Sequence, residues 1–137
     1  MYLLDTNVIS ELRRREKANR NVAVWAAANP VASLFLSAVS IFEIERGALL
    51  IARKDPERGN ELRTWIDHHI LPRFEGRILS MDAAVARRCA ALHVPNSRPE
   101  RDAFIAATAM VHGFTVVTRN VADFKPMGVA VINPWEA

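Results

Sequence analysis

Short, unbroken apolar runs alternate along the chain with longer stretches whose apolar residues recur every three or four positions. The first pattern reads as strands buried on both faces, the second as amphipathic helices. Strands are expected at Tyr2–Leu4, Ser33–Ser37, Arg77–Leu79, Phe114–Thr118 and Val129–Ile132. Between them the spacing predicts helices over 7–16, 21–29, 39–54, 57–74, 82–93 and from Pro99 to His112. Their stops are chemical: Pro30 and Pro56 break the pattern, Ser80 or Asp82 can cap a start, and Gly113 ends the helix that begins at Pro99. Strands that alternate with helices in this way build a parallel sheet covered on both faces, hence an α/β protein.

Such sheets bind ligands beyond the carboxyl ends of their strands. Four acids are placed to gather there. Asp5 follows the first strand, Glu43 lies in the helix entered from the second, and Asp123 lies one turn beyond the fourth. Asp102 opens the helix that leads into that fourth strand. Each has an ordinary alternative. Asp5 can be a helix cap, Asp123 a turn former, and Asp102 a partner of the positive helix end worth less than about 1 kcal/mol. Glu43 and Asp102 are harder to explain so, because helical spacing puts Glu43 on one stripe with Val39, Gly47 and Leu50 and Asp102 on one face with Ile105, Ala106 and Ala109, both expected to face inward. Gly47 there would leave room for a neighbouring element. Glu45 points elsewhere and is expected to pair at the surface with Arg46 or Arg53. Converging carboxylates repel one another, so a cleft that holds four calls for a bound cation.

Composition narrows the rest. A chain of 137 residues is one domain with a core of normal size. Net charge is +3, carried by 15 arginines and 3 lysines. A basic exterior around an acidic cleft suits a polyanionic substrate, although arginine-rich surfaces are common without one. The single Cys89 forms no internal disulfide, and no basic-then-apolar leader opens the chain; a cytoplasmic protein is expected. No run approaches the roughly 18 apolar residues of a membrane span, so no membrane partner is expected. The four histidines form no ligand pattern, and there is no phosphate loop or Gly-x-Ser-x-Gly elbow. Hard oxygen ligands remain, which favour Mg²⁺ or Mn²⁺.

Four segments in order give a more specific picture. They are Leu3-Leu4-Asp5-Thr6-Asn7-Val8-Ile9-Ser10-Glu11, Ser37 to Gly47, Asp102 to Ala109, and Thr118 to Phe124. With the ending Gly128 to Trp135, the chain resembles the PIN-domain nucleases, and among them the VapC/FitB-like toxins of bacterial toxin–antitoxin pairs. The resemblance implies a three-layer α/β/α sandwich around a five-stranded parallel sheet. It implies a Mg²⁺- or Mn²⁺-dependent endoribonuclease with Asp5, Glu43, Asp102 and Asp123 as catalytic and metal-binding acids. The acid four residues before Gly47 is the family's functional one, which selects Glu43 over Glu45. Thr6 and Thr118 would support the site. Asn120 stands where many relatives carry a further acid, and its amide can still orient a ligand or water. Arg119 would position the RNA backbone.

The resemblance also implies a homodimer and a small cognate antitoxin, whose tail lies in an apolar groove. DNA would be contacted only through that antitoxin. The alternative reading is a chain that serves mainly as the antitoxin-binding component of a DNA-bound autorepressor, with latent or weak nuclease activity. Two other phosphate-handling classes do not fit. Haloacid-dehalogenase phosphatases need an aspartate where Asn7 stands, and receiver domains need a lysine at a late strand end that this chain lacks.

Overall fold

The computed structural model describes residues 1–136. Its centre is a five-stranded sheet, every pairing parallel, with strand order β3-β2-β1-β4-β5. The strands are β1 (Tyr2–Leu4), β2 (Leu34–Ser37), β3 (Ile78–Leu79), β4 (Thr115–Val117) and β5 (Val131–Ile132). Register pairs Leu3 with Phe35 on one side and with Val116 on the other. From β1 the chain builds outward through β2 to β3, then returns to β1's other edge for β4 and β5. The order therefore reverses beside β1, which is where open parallel sheets form their crevice.

Alternating strand side chains feed two separate cores. Leu3, Val116 and Phe35 pack with α6 (Ala83–Leu92) and α7 (Glu100–His112) through Val85, Ile105 and Ala109. Leu4, Leu34, Leu36 and Val117 pack on the other face with α1 (Thr6–Leu12), α2 (Arg20–Ala28) and α3 (Ala38–Lys54), through Val8, Val22 and Ile44. The expected three-layer sandwich with a five-stranded parallel sheet is thus present.

The helices differ from expectation in informative places. α1 ends at Leu12 instead of Glu16, and a 3₁₀ turn at Arg15–Lys17 follows, with Arg15 at φ 52°. The long helix expected over 57–74 is three pieces: α4 (Pro56–Trp65), a π turn at Ile66–Ile70, and α5 (Leu71–Arg73). Pro72 supplies the reason, since its ring clashes with the carbonyl four residues back and a wider turn relieves that clash. Asp82, not Ser80, caps α6 by accepting from Val85 N at 2.9 Å. Pro99 sits at the cap position just outside α7, and Gly113 ends that helix at φ 72°. The segment after β4 is a one-turn helix, α8 (Val121–Phe124), so Asp123 lies in helix where a turn was expected.

The stripe assigned to α3 also needs correcting. Val39, Ser40, Ile44 and Ala48 are its buried residues, whereas Leu50 is 56% exposed. Glu43 therefore sits on the flank of the buried face. Nothing lies within 4 Å of a Cβ placed on Gly47, so no element approaches there. The close approach is at Gly59 of α4, against Ala52 of α3.

Candidate active site

Asp5 directly follows β1 and caps α1, and its two oxygens have different partners. Its Oδ1 accepts from Thr6 N at 2.8 Å. Its Oδ2 accepts from Thr118 Oγ1 at 2.7 Å and from Asn7 Nδ2 at 3.3 Å. Thr118 is fully buried just beyond β4, and its hydroxyl also accepts from Asn120 N at 3.0 Å and Asn7 Nδ2 at 3.3 Å. Asn7 Oδ1 in turn accepts from Arg119 N at 3.4 Å. This web fastens the end of β1 to the end of β4 across their shared edge.

On the other side of β1, Ser37 caps α3 and sends Glu43 toward the same end of the sheet. Thr6 Oγ1 lies 2.8 Å from Glu43 Oε1 and 3.0 Å from Ser40 Oγ. A hydroxyl has one proton, and a carboxylate oxygen can only accept it, so Glu43 takes it and Ser40 completes the chain. Arg101 Nη1 stands 3.6 Å from Glu43 Oε2.

Asp102, in the first turn of α7, brings the third acid. Burial, then the charges of Asp5, Asp123 and Glu43, push its pKa up to about 6, with Arg101 opposing them. Asp5 is raised as well, first by burial, while its bonds to Thr118 and Thr6 oppose the shift and Glu43 and Asp123 add to it. The structure thus brings all four predicted acids within electrostatic reach of one another. Asp123 is the exposed member. It lines a hollow of about 550 Å³ together with Arg119, Asn120, Lys125 and Asn133.

The donor set fits a hard divalent cation. Oxygen ligands dominate, and a cation would offset both the burial and the mutual repulsion that hold two of the acids above their ordinary pKa. Among the described residues, no three acidic, histidine or cysteine side chains are already closed to metal-ligand distances. The acids converge without touching, and a cation would have to draw them together.

Glu45 pairs with Arg63 at 3.0 Å, not with Arg46 or Arg53. Asn120 contributes through its backbone N–H, while its exposed side chain faces the hollow. Reading the sequence overlooked Asn7, Ser40 and Arg101 as members of the site. Asn7 stands in the Asp5-Thr6-Asn7 triplet and Arg101 directly precedes Asp102, so adjacency was the available signal.

An all-parallel sheet of this order, with acids gathered beyond its carboxyl edge, defines the class, and comparison with known proteins gives the family. A PIN domain model matches residues 2–127, and the chain belongs to the PIN-domain family. It is 42% identical to plasmid stability protein StbB of Pseudomonas syringae pv. tomato, over the whole length of both. It is 37% identical to VapC ribonuclease Y4jK of Sinorhizobium fredii, over 99% of each chain. Among solved structures it superposes on FitAcB from Neisseria gonorrhoeae with a TM-score of 0.90, at 37% identity and full coverage of both chains. FitAB bound to an IR36 DNA fragment gives 0.88 at 37% identity, covering 98% of this chain and 96% of that one.

Proposed function

We propose that the chain is the toxin of a type II toxin–antitoxin pair, an endoribonuclease that hydrolyses RNA phosphodiester bonds in the cytoplasm with Mg²⁺ or Mn²⁺. The observation that carries this reading is the gathering of Asp5, Glu43, Asp102 and Asp123 beyond the sheet's carboxyl edge, where burial first and neighbouring carboxylates second raise Asp5 and Asp102. The whole-length likeness to a VapC ribonuclease supports it. Asp5, Asp102 and Asp123 would hold the ion, with Glu43 completing the set. The bound cation would lower the pKa of a water and polarise the scissile phosphate. Glu43, which accepts a hydrogen bond from Thr6, would orient that water or accept its proton. Thr118 and Asn7 keep Asp5 from turning away. Arg119 and Lys125 line the hollow beside Asp123, where an RNA backbone would find cations.

Cleavage of total RNA by antitoxin-free protein tests this, with Mg²⁺, Mn²⁺ or EDTA in parallel. Discrete products that require the metal and vanish in Asp5→Asn are expected. Full activity in a folded Asp5→Asn protein would sink the assignment.

A specific observation favours an additional role in partner binding. An open cavity of about 490 Å³ runs beside α1 and α4, lined by Ile9, Leu12, Trp65, Ile70 and Phe74 with Arg13 at the rim. An apolar groove edged by cations suits an antitoxin tail that carries apolar and acidic residues. Through that antitoxin a toxin homodimer would reach DNA, as the DNA-bound FitAB assembly illustrates for its own components. Co-purification with the product of the neighbouring reading frame, lost when Trp65→Glu fills the groove with charge, tests the role. If the complex forms but no RNA is cleaved, the repressor-component reading stands instead.

A further inference from the structure

Phe42 precedes Glu43 on α3 and is 54% exposed. Two guanidinium groups lie against it. Arg46 is 5.4 Å and Arg101 5.8 Å from the ring centroid, both within cation–π range. Arg101 is the same side chain that stands 3.6 Å from Glu43, so this cluster borders the acidic site directly. Phe42 and Arg46 lie on α3, the helix entered from β2, whereas Arg119 and Lys125 follow β4.

We propose that Phe42 is a stacking platform for one unpaired base of the RNA substrate, with Arg101 and Arg46 holding the adjoining phosphate. The inference rests on the ribonuclease reading. Three features point to a nucleotide. An exposed aromatic ring accepts any base where a guanidinium gives way to it, and duplex bases are already stacked and hidden, so the platform selects an unpaired segment. Two like charges on one ring repel, and an anion between them relieves that repulsion. Arginine's planar fork matches phosphate geometry. Arg101 at 3.6 Å makes a loose ion pair with Glu43 and is 45% exposed. A divalent ion that takes Glu43 would free Arg101 for the backbone. RNA would then cross the site from Phe42 to the hollow at Arg119, with the acids between.

The test uses the metal-loaded protein and a fluorescein-labelled, single-stranded oligoribonucleotide containing the mapped cleavage site, read by anisotropy and by cleavage kinetics. Phe42→Leu keeps the apolar bulk and removes the ring face. It should weaken binding about tenfold and raise KM similarly, with kcat within about twofold of the parent. Phe42→Trp should restore both. With 2-aminopurine at the base beside the cleavage site, quenching on binding should be present in the parent and in Phe42→Trp and lost in Phe42→Leu. Arg101→Gln should weaken binding and reduce the salt slope by about one.

Equal binding and quenching by the parent and Phe42→Leu would overturn the platform. So would a loss of the dimer in Phe42→Leu by sedimentation, which would assign the ring to a second copy of the chain. RNA binding that depends on Phe42 in a parent that cleaves nothing would uphold the platform and overturn the nuclease reading alone.

Discussion

At the scale of single residues, the site is organised by hydrogen bonds between groups far apart in sequence. Thr118 spends its whole capacity on three partners, giving its proton to Asp5 and accepting from Asn7 and Asn120. Thr118→Val keeps the shape and removes all three bonds. It leaves a buried carboxylate oxygen short of its best donor, which costs about 1–3 kcal/mol. The urea midpoint should fall with an unchanged slope, and metal affinity should drop with it. An unaltered midpoint would show that Asp5 is held without Thr118. Asp5 was legible in the sequence because an acid after a short buried strand has few settings. Capping and a place among the converging acids are compatible, because Oδ1 caps α1 while Oδ2 accepts from Thr118. Thr6 and Thr118 came from family resemblance, and Asn7 and Ser40 escaped notice. A bond between residues 111 apart leaves no periodicity to read.

Among elements, strand and helix order was readable because each apolar run is short and each helix has a chemical stop. Side-chain direction on α3 was less so. A stripe drawn through Val39, Glu43, Gly47 and Leu50 matches helical spacing, but the buried line of α3 runs through Val39, Ile44 and Ala48. The consequence falls on two glycines. A Cβ added at Gly59 would meet Ala52 Cβ at 2.3 Å and its Cα at 2.5 Å, so α3 and α4 would have to part. Gly59→Ala gains about 1 kcal/mol in helix propensity and loses more to the clash, for a net loss of about 2 kcal/mol. Thermal unfolding should shift down by roughly 5–10 °C. Gly47→Ala meets nothing within 4 Å and should leave the midpoint level or raise it slightly. Equal effects at both positions would contradict the packing of α3 on α4.

For the whole molecule, the fold gathers acids from β1, α3, α7 and α8 at one edge of a basic chain, and that gathering has a thermodynamic signature. Asp102 is held at about 6, above its ordinary 3.8, and Asp5 is raised as well. A carboxyl whose folded pKa is raised favours the folded state when protonated. Its contribution is complete below about 3.8 and is lost as pH rises through about 6. Without metal, this edge should therefore weaken the protein between about pH 4 and pH 7. Asp102→Asn removes the largest resolved part of that trend. In EDTA the variant should unfold above the parent at pH 7.5, and the two should converge near pH 4. A divalent ion reverses the order, because it binds the ionised acids and must displace protons at low pH. Mn²⁺ at a hundredfold its dissociation constant adds roughly 2.7 kcal/mol to the folded state. The parent should gain this at pH 7.5 and little of it at pH 5, while Asp102→Asn should gain less at either. Scanning calorimetry of both proteins, at both pH values, with Mn²⁺ or EDTA, reads all of these shifts. A parent whose Mn²⁺-dependent gain is the same at pH 5 and 7.5 would mean that these carboxylates do not hold the ion.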